Sequence, residues 1–156
     1  MSMNGPTIMS GGQTGVDRGA LDAAIATDTP CGGYCPKGRR AEDGVIPAQY
    51  PLIETESGDY EERTRRNVTE SDATLIIHFG SLEGGTELTK RFCSAHSKPL
   101  LKIDASKTDV ERAEQTLFDF LYKYSARTLN VAGPRRSEHA DGYDYAYRLL
   151  TRLLRR

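Results

Sequence analysis

Short β-rich apolar runs alternate with segments of helical period along this chain, and that alternation restricts its fold more than any other feature. Residues 7–9 lead into SGGQTGVDRGALDAA, where Val16, Ala20, Leu21 and Ala24 recur at helical spacing. Residues 73–79 (ATLIIHF) form a run of β-branched and apolar side chains of the kind buried on both faces of a sheet, which places this strand at the sheet centre. A helix with Leu88, Phe92 and Ala95 on one face follows, then a strand at 100–103. Asp109 is the expected N-cap of a helix whose stripe is Val110, Ala113, Leu117, Leu121 and Tyr124. The last strand spans 128–131. The closing helix carries Ala146, Leu149, Leu150, Leu153 and Leu154 on one face, with Arg152, Arg155 and Arg156 at its negative end. Repeated strand–helix units require a mostly parallel sheet, because parallel neighbours need a crossover. The expected architecture is therefore α/β: an open, mostly parallel sheet of about five strands with helices on both faces, in one domain over 1–156.

The stretch 29–71 breaks the alternation. TPCGGYCPKGRRAEDGVIPAQYP holds prolines 30, 36, 47 and 51 and glycines 32, 33, 38 and 44, so it reads as loop, followed by a short strand at 52–54 and a polar helix at 60–69. A loop longer than roughly 12–15 residues in a compact domain is usually functional or disordered. This one is dense in anion-binding residue types, which favours function.

Charge removes several classes of partner. With 21 Lys and Arg against 22 Asp and Glu, the formal charge is −1. Nucleic-acid and membrane surfaces are not the expected partners, since both demand a basic excess. No apolar run reaches the 18 or so residues of a membrane helix, and the opening MSMNGPTIMS lacks a charged and apolar leader pattern, so a cytoplasmic protein is expected. Cys31 and Cys35 lack a second pair, and His78, His96 and His139 are scattered, so reduced thiols and no protein-held metal are expected.

Three polar or glycine-rich segments, 10–18, 80–89 and 133–138, each follow a strand and precede a helix. In a parallel sheet all three lie at the carboxyl edge, where open α/β sheets bind ligands. If strands 7–9 and 73–79 are neighbours, the first two segments wall one crevice. Gly11, Gly12, Gly15, Gly84 and Gly85 let a backbone approach a bound group, and the helix after each loop offers free N–H groups to an anion, above all phosphate. Gln13, Thr14, Asp17 and Thr86 complete the candidate ligand-binding set in these loops. Lys37, Arg39 and Arg40, with Gly38 beside them in the same loop, add cations suited to phosphate. The 63–66 run, with Glu61 and Glu62 beside it, reads instead as a solvated helix face. Glu42, Asp43 and Asp17 are placed either to contact ribose hydroxyls or to balance arginines. SGGQTG is neither the dinucleotide fingerprint nor a phosphate-loop motif.

Taken in order, SGGQTGVDRGALDAA, GGYCPKGRRAEDG, YPLIETESGDYEERTRRNVTESDATLII, GSLEGGTELT and NVAGPRRSE resemble the putative molybdenum carrier family across nearly the whole chain. That family is similar to the molybdenum cofactor carrier proteins and to the Rossmann-like, lysine-decarboxylase-like group that includes the cytokinin-activating enzymes. The resemblance implies a Rossmann-like fold, homo-oligomers, and binding of a pterin- or nucleotide-type phosphate ligand, with molybdenum cofactor as cargo. Hydrolysing relatives carry P-G-G-x-G-T-x-x-E. Here residues 82–89 read LEGGTELT, so Thr89 stands where the catalytic glutamate would be, and Glu87 lies on another helical face. A binding protein without assigned catalytic residues is the first expectation. A nucleotide N-glycosidic hydrolase using Asp17, Glu42 or Glu87 is the second, and a nucleotide-sensing module for a partner protein is the third.

Overall fold

A computed structural model describes residues 5–156; residues 1–4, part of the opening stretch read for a leader, lie outside the described residues. The chain runs β1 (Thr7–Met9), α1 (Val16–Ala26), β2 (Cys31–Gly32), β3 (Tyr34–Cys35), β4 (Arg40–Ala41), β5 (Gly44–Val45), β6 (Ile53–Glu54) and α2 (Tyr60–Thr69). It continues with β7 (Ala73–His78), α3 (Gly84–Ala95), β8 (Leu100–Asp104), α4 (Val110–Tyr124), β9 (Thr128–Ala132) and α5 (Gly142–Leu154). Asp109 caps α4 as its position requires, accepting from the Arg112 N–H at 2.8 Å.

The main sheet has five strands in the order β2-β1-β9-β7-β8, and every adjacent pair is parallel. Counted from β9 as if the chain began there, this order becomes 3-2-1-4-5, the doubly wound Rossmann arrangement. The last strand–helix unit thus supplies the middle strand. That corrects two sequence expectations: β7 is interior but not central, and β1 and β7 are not neighbours, because β9 separates them. The fifth strand is also not the one expected. Ile53–Glu54 pairs with β3 in a separate two-stranded ladder, and Cys31–Gly32 takes the edge beside β1. A two-residue strand between proline and glycine has no period to read.

Leu75, Ile77, Leu129 and Val131 join Ile8 and the apolar stripes of α1, α4 and α5 in one continuous core. Because strand side chains alternate, Thr74, Ile76 and Asn130 face the opposite side, where the Asn130 amide donates to the Thr74 hydroxyl at 3.3 Å. α2 and α3 pack together, and α3 offers this polar side Thr86, Thr89 and Cys93 rather than the expected Leu88, Phe92 and Ala95. The sheet beneath is polar, and the helix has turned its small and hydroxylated face to it. Tyr124, expected in the α4 stripe, is 45% exposed, since the helix ends one residue later at Ser125 with φ 49°.

A satellite core of Leu21, Cys35, Ile46, Tyr50 and Leu52 lies under the 36–54 loop. Arg39 fastens that loop, its guanidinium donating to the carbonyls of Ile46, Pro47, Leu52 and Tyr50.

Candidate functional site

The loop between β1 and α1 is closed on itself. The Gly12 N–H donates to the Ser10 hydroxyl (3.3 Å), that of Gln13 to the Asp17 carboxylate (3.2 Å), and that of Thr14 to the Gln13 side-chain oxygen (3.1 Å). The Val16 N–H at the start of α1 donates to the Pro134 carbonyl at 3.3 Å. Glycine is needed here for protein-to-protein approach: a Cβ on Gly15 would stand 2.5 Å from the Pro134 oxygen, at φ +84°. One on Gly11 would stand 1.5 Å from Nη1 of Arg63.

The head of α3 is built differently. Its N-cap Glu83 makes no side-chain capping bond, and among the described residues the Gly84 and Gly85 amides meet no acceptor. A Cβ on Gly85 would meet nothing within 4 Å. Free first-turn amides facing open space are the physical requirement for an anion site at a helix N-terminus.

That open space is a cleft of about 370 Å³ at the carboxyl edge of the sheet, lined by Gly11, Gln13 and Asp17, by Tyr60, Arg63, Thr64 and Asn67 of α2, by the first turns of α3, and by the segment from Asn130 to Gly133. Arg135 and Glu138 complete one rim and Arg91 another. It lies over β9 and β7, between which the doubly wound order reverses; that switch point is where such sheets bind ligands. The third expected segment, which follows β9, therefore lies between the first two, which are not adjacent.

Arg63 is the most telling side chain in the cleft. It packs on the Tyr60 ring, 5.1 Å from the centroid, and reaches Asp17 only at 3.5 Å, with side-chain exposures of 13% and 9%. Its Nε is buried and has no hydrogen-bond partner among the described residues. A guanidinium has five donors, and this one is largely unspent. Burial raises the Asp17 carboxyl above its ordinary range, against the opposing pull of Arg63 and the Gln13 amide. Arg135 stands 3.7 Å from both Glu42 and Glu138.

Of the residues expected from sequence, Gly11, Gln13, Asp17, Gly84, Gly85 and Thr86 line the cleft. Gly12, Thr14 and Gly15 stand behind it. Lys37, Gly38, Arg39 and Arg40 do not line it either. Arg39 is committed to four carbonyls, Arg40 donates to the Gly58 carbonyl, and the Gly38 N–H donates to Glu54. Glu42 accepts from Thr14 and from the Ser137 backbone and hydroxyl. Its desolvation would raise its pKa, but the bonds from Ser137 and Thr14 outweigh that and hold it low. Asp43 is paired with Arg18 at 2.6 Å. The two acids tie loops together and leave the cleft to others. Arg63 belongs to the 63–66 run expected to be a solvated helix face, which the cleft corrects, and Asn67 was not singled out, although Tyr60, Arg63, Thr64 and Asn67 share the spacing of one helix face. Among the described residues, no cluster of His, Cys, Asp and Glu is placed to hold a metal ion, and no helix is long and apolar enough to cross a membrane.

A doubly wound parallel sheet entered at its middle by the last strand, with the cleft at the switch point, defines a circularly permuted Rossmann-like α/β protein. The chain belongs to the circularly permutated YpsA SLOG family, which it matches over residues 8–154. It is similar to a solved structure described as a putative molybdenum carrier protein from Syntrophus aciditrophicus SB, at 42% identity, a TM-score of 0.94, and coverage of 97% of this chain and 96% of that one. No curated protein matches it.

Proposed function

We propose that the protein is a single-domain, cytoplasmic binder of a small phosphate-bearing ligand, molybdenum cofactor or a related nucleotide, and that it carries this ligand without transforming it. The observation that supports this reading is the pairing of two unmet donor sets across one cleft: the free amides at the head of α3 and the partnerless Nε of Arg63. The Arg63 Nε is buried, and leaving such a donor unmet costs roughly 1–3 kcal/mol, more for a charged group. The Gly84 and Gly85 amides are exposed and add the positive end of α3. An oxyanion meets both.

The similar structure is described as a putative molybdenum carrier protein, which supports a molybdenum-bearing cargo. The residues suit the phosphate end of such a cargo rather than its metal, since none of Cys31, Cys35 and Cys93 lines the cleft and burial raises all three thiols. Thr89, at the position of the hydrolases' glutamate, is buried and donates to the Gly85 carbonyl at 2.9 Å. A hydroxyl held in that bond does not replace a carboxylate as acid or base.

Native mass spectrometry of the purified protein, compared with its denatured mass, tests the proposal and reads the assembly state, for which the reading expects a homo-oligomer. The expected result is a retained phosphate-bearing mass that disappears in Arg63→Ala. A chain that retains nothing and binds neither pterin phosphates nor nucleoside monophosphates contradicts it. Release of free base from nucleoside monophosphates would instead favour the hydrolase.

A further inference from the structure

A second hollow of about 140 Å³ adjoins the cleft, on the other side of the first turn of α3. Thr86 and Glu138 line both spaces. The hollow is otherwise bounded by His78 and Phe79 at the end of β7, by Ser81 and Glu83, and by Pro134 and His139 beyond β9. It too stands at the β9–β7 switch point.

We infer that this hollow is a second subsite, which holds a neutral, hydroxyl-bearing ring carried on the same ligand whose phosphate lies at the head of α3. The inference rests on the phosphate reading above. Its basis is the chemistry of the walls, which differs from that of the cleft: the cleft gathers guanidinium donors, and the hollow gathers acceptors. His78 Nδ1 lies 2.9 Å from the Gly80 carbonyl. A carbonyl only accepts, so that nitrogen is the donor, and in the neutral ring Nε2 is the free acceptor. Among the described residues Glu83 is engaged only by the Ser81 hydroxyl at 3.3 Å, and it spends no oxygen on capping α3. Glu138 takes the Arg135 N–H at 3.2 Å through one oxygen. Its other oxygen is the one closest to Gly84. His139 accepts the Asp141 N–H at Nδ1 (3.3 Å), which leaves Nε2–H facing outward as a donor.

The apolar wall is equally specific. The Phe79 and His139 rings stack with centroids 3.6 Å apart and 11° between planes, and both are half-buried. A flat aromatic wall beside several acceptors suits a ring with a C–H face and outward hydroxyls. No lysine or arginine among the described residues lines the hollow to meet a phosphate, whereas Arg63 and Arg135 line the cleft. A bicyclic heterocycle suits the larger cleft better than a hollow of this size.

The test is calorimetric titration of the purified chain with ribose 5-phosphate and with methyl phosphate, which share the anion and differ in the ring. Two or three hydroxyl contacts predict that ribose 5-phosphate binds about tenfold tighter or more. His78→Ala and Glu83→Ala should each shrink that ratio, and Arg63→Ala should weaken both ligands while leaving the ratio in place. Thermal melts identify any variant that fails to fold, and the two hollow variants sit on different segments, so one can stand for the other. Equal affinities in the wild type, both reduced by Arg63→Ala, would overturn the subsite and leave the phosphate reading standing. A preference that survives both His78→Ala and Glu83→Ala would overturn this location for it. If neither compound binds, the phosphate reading falls and the subsite with it.

Discussion

In the loop from Ser10 to Gly15 the amides of Gly12, Gln13 and Thr14 each meet an oxygen of the protein, whereas the Gly84 and Gly85 amides at the head of α3 meet none among the described residues. Both segments are glycine-rich, follow a parallel strand and open a helix. Their glycines nonetheless serve opposite ends. At Gly11 and Gly15 the missing side chain makes room for Arg63 and for the Pro134 carbonyl; at Gly85 it makes room for nothing the protein contains. A glycine loop after a strand therefore signals close approach, and only its neighbours reveal whether the approaching group is protein or ligand.

The largest effect that would break this comparison is expected in the first loop. Gly15→Val forces a β-branched residue to a positive φ and into the Pro134 carbonyl. Strain of about 1–3 kcal/mol added to overpacking of about 1–3 kcal/mol should lower the chemical-denaturation midpoint sharply or prevent folding. A stable Gly15→Val protein would show that this loop has slack. Next in size is Arg63→Ala: a charge-assisted contact is worth about 1.5–3 kcal/mol, so titration with a pterin phosphate should show affinity weakened by about ten- to a hundredfold. Arg65→Ala, on the same helix but outside the cleft, should change affinity little. If Arg65→Ala costs more than Arg63→Ala, the cation has been misplaced.

Arg39→Ala separates the two roles of basic residues. Its four bonds to carbonyls hold the 36–54 loop, so stability should fall by about 1–3 kcal/mol while affinity changes little. A large loss of affinity in a normally stable Arg39→Ala chain would return that loop to the ligand. The smallest effect concerns Asp17, whose carboxyl burial raises from a starting value of 3.8. The stability it contributes is complete below that unfolded value and is lost as pH rises through the raised folded one. Asp17→Asn cannot ionise, so its melting temperature relative to wild type should climb as pH rises above about 4. A relative melting temperature that falls with pH would mean that the Arg63 pair outweighs desolvation.

Much of this architecture is legible in the sequence because it is written in local periods. The polar helix at 60–69 and the Asp109 cap follow from residue spacing and side-chain chemistry alone. The strand order does not. Whether Thr128–Ala132 pairs beside Met9 or beyond Asp104 depends on contacts more than a hundred residues apart, which no local pattern encodes. The same limit explains Arg63: Glu61 and Glu62 beside it suggest a solvated face, and only the docking of α2 over Gly11 turns that arginine inward. Arg39 is the converse, a loop arginine consumed by the turns it holds. In both cases the residue type was informative and its partner was not.

Gly85→Val bears most directly on the central claim, that the head of α3 faces the ligand while the first loop faces the protein. The variant should be titrated with a pterin phosphate and melted in parallel with the wild type. A melting temperature close to wild type together with abolished binding is the predicted result, because the added side chain enters only the space reserved for the anion. A well-folded Gly85→Val protein with unchanged affinity would contradict it.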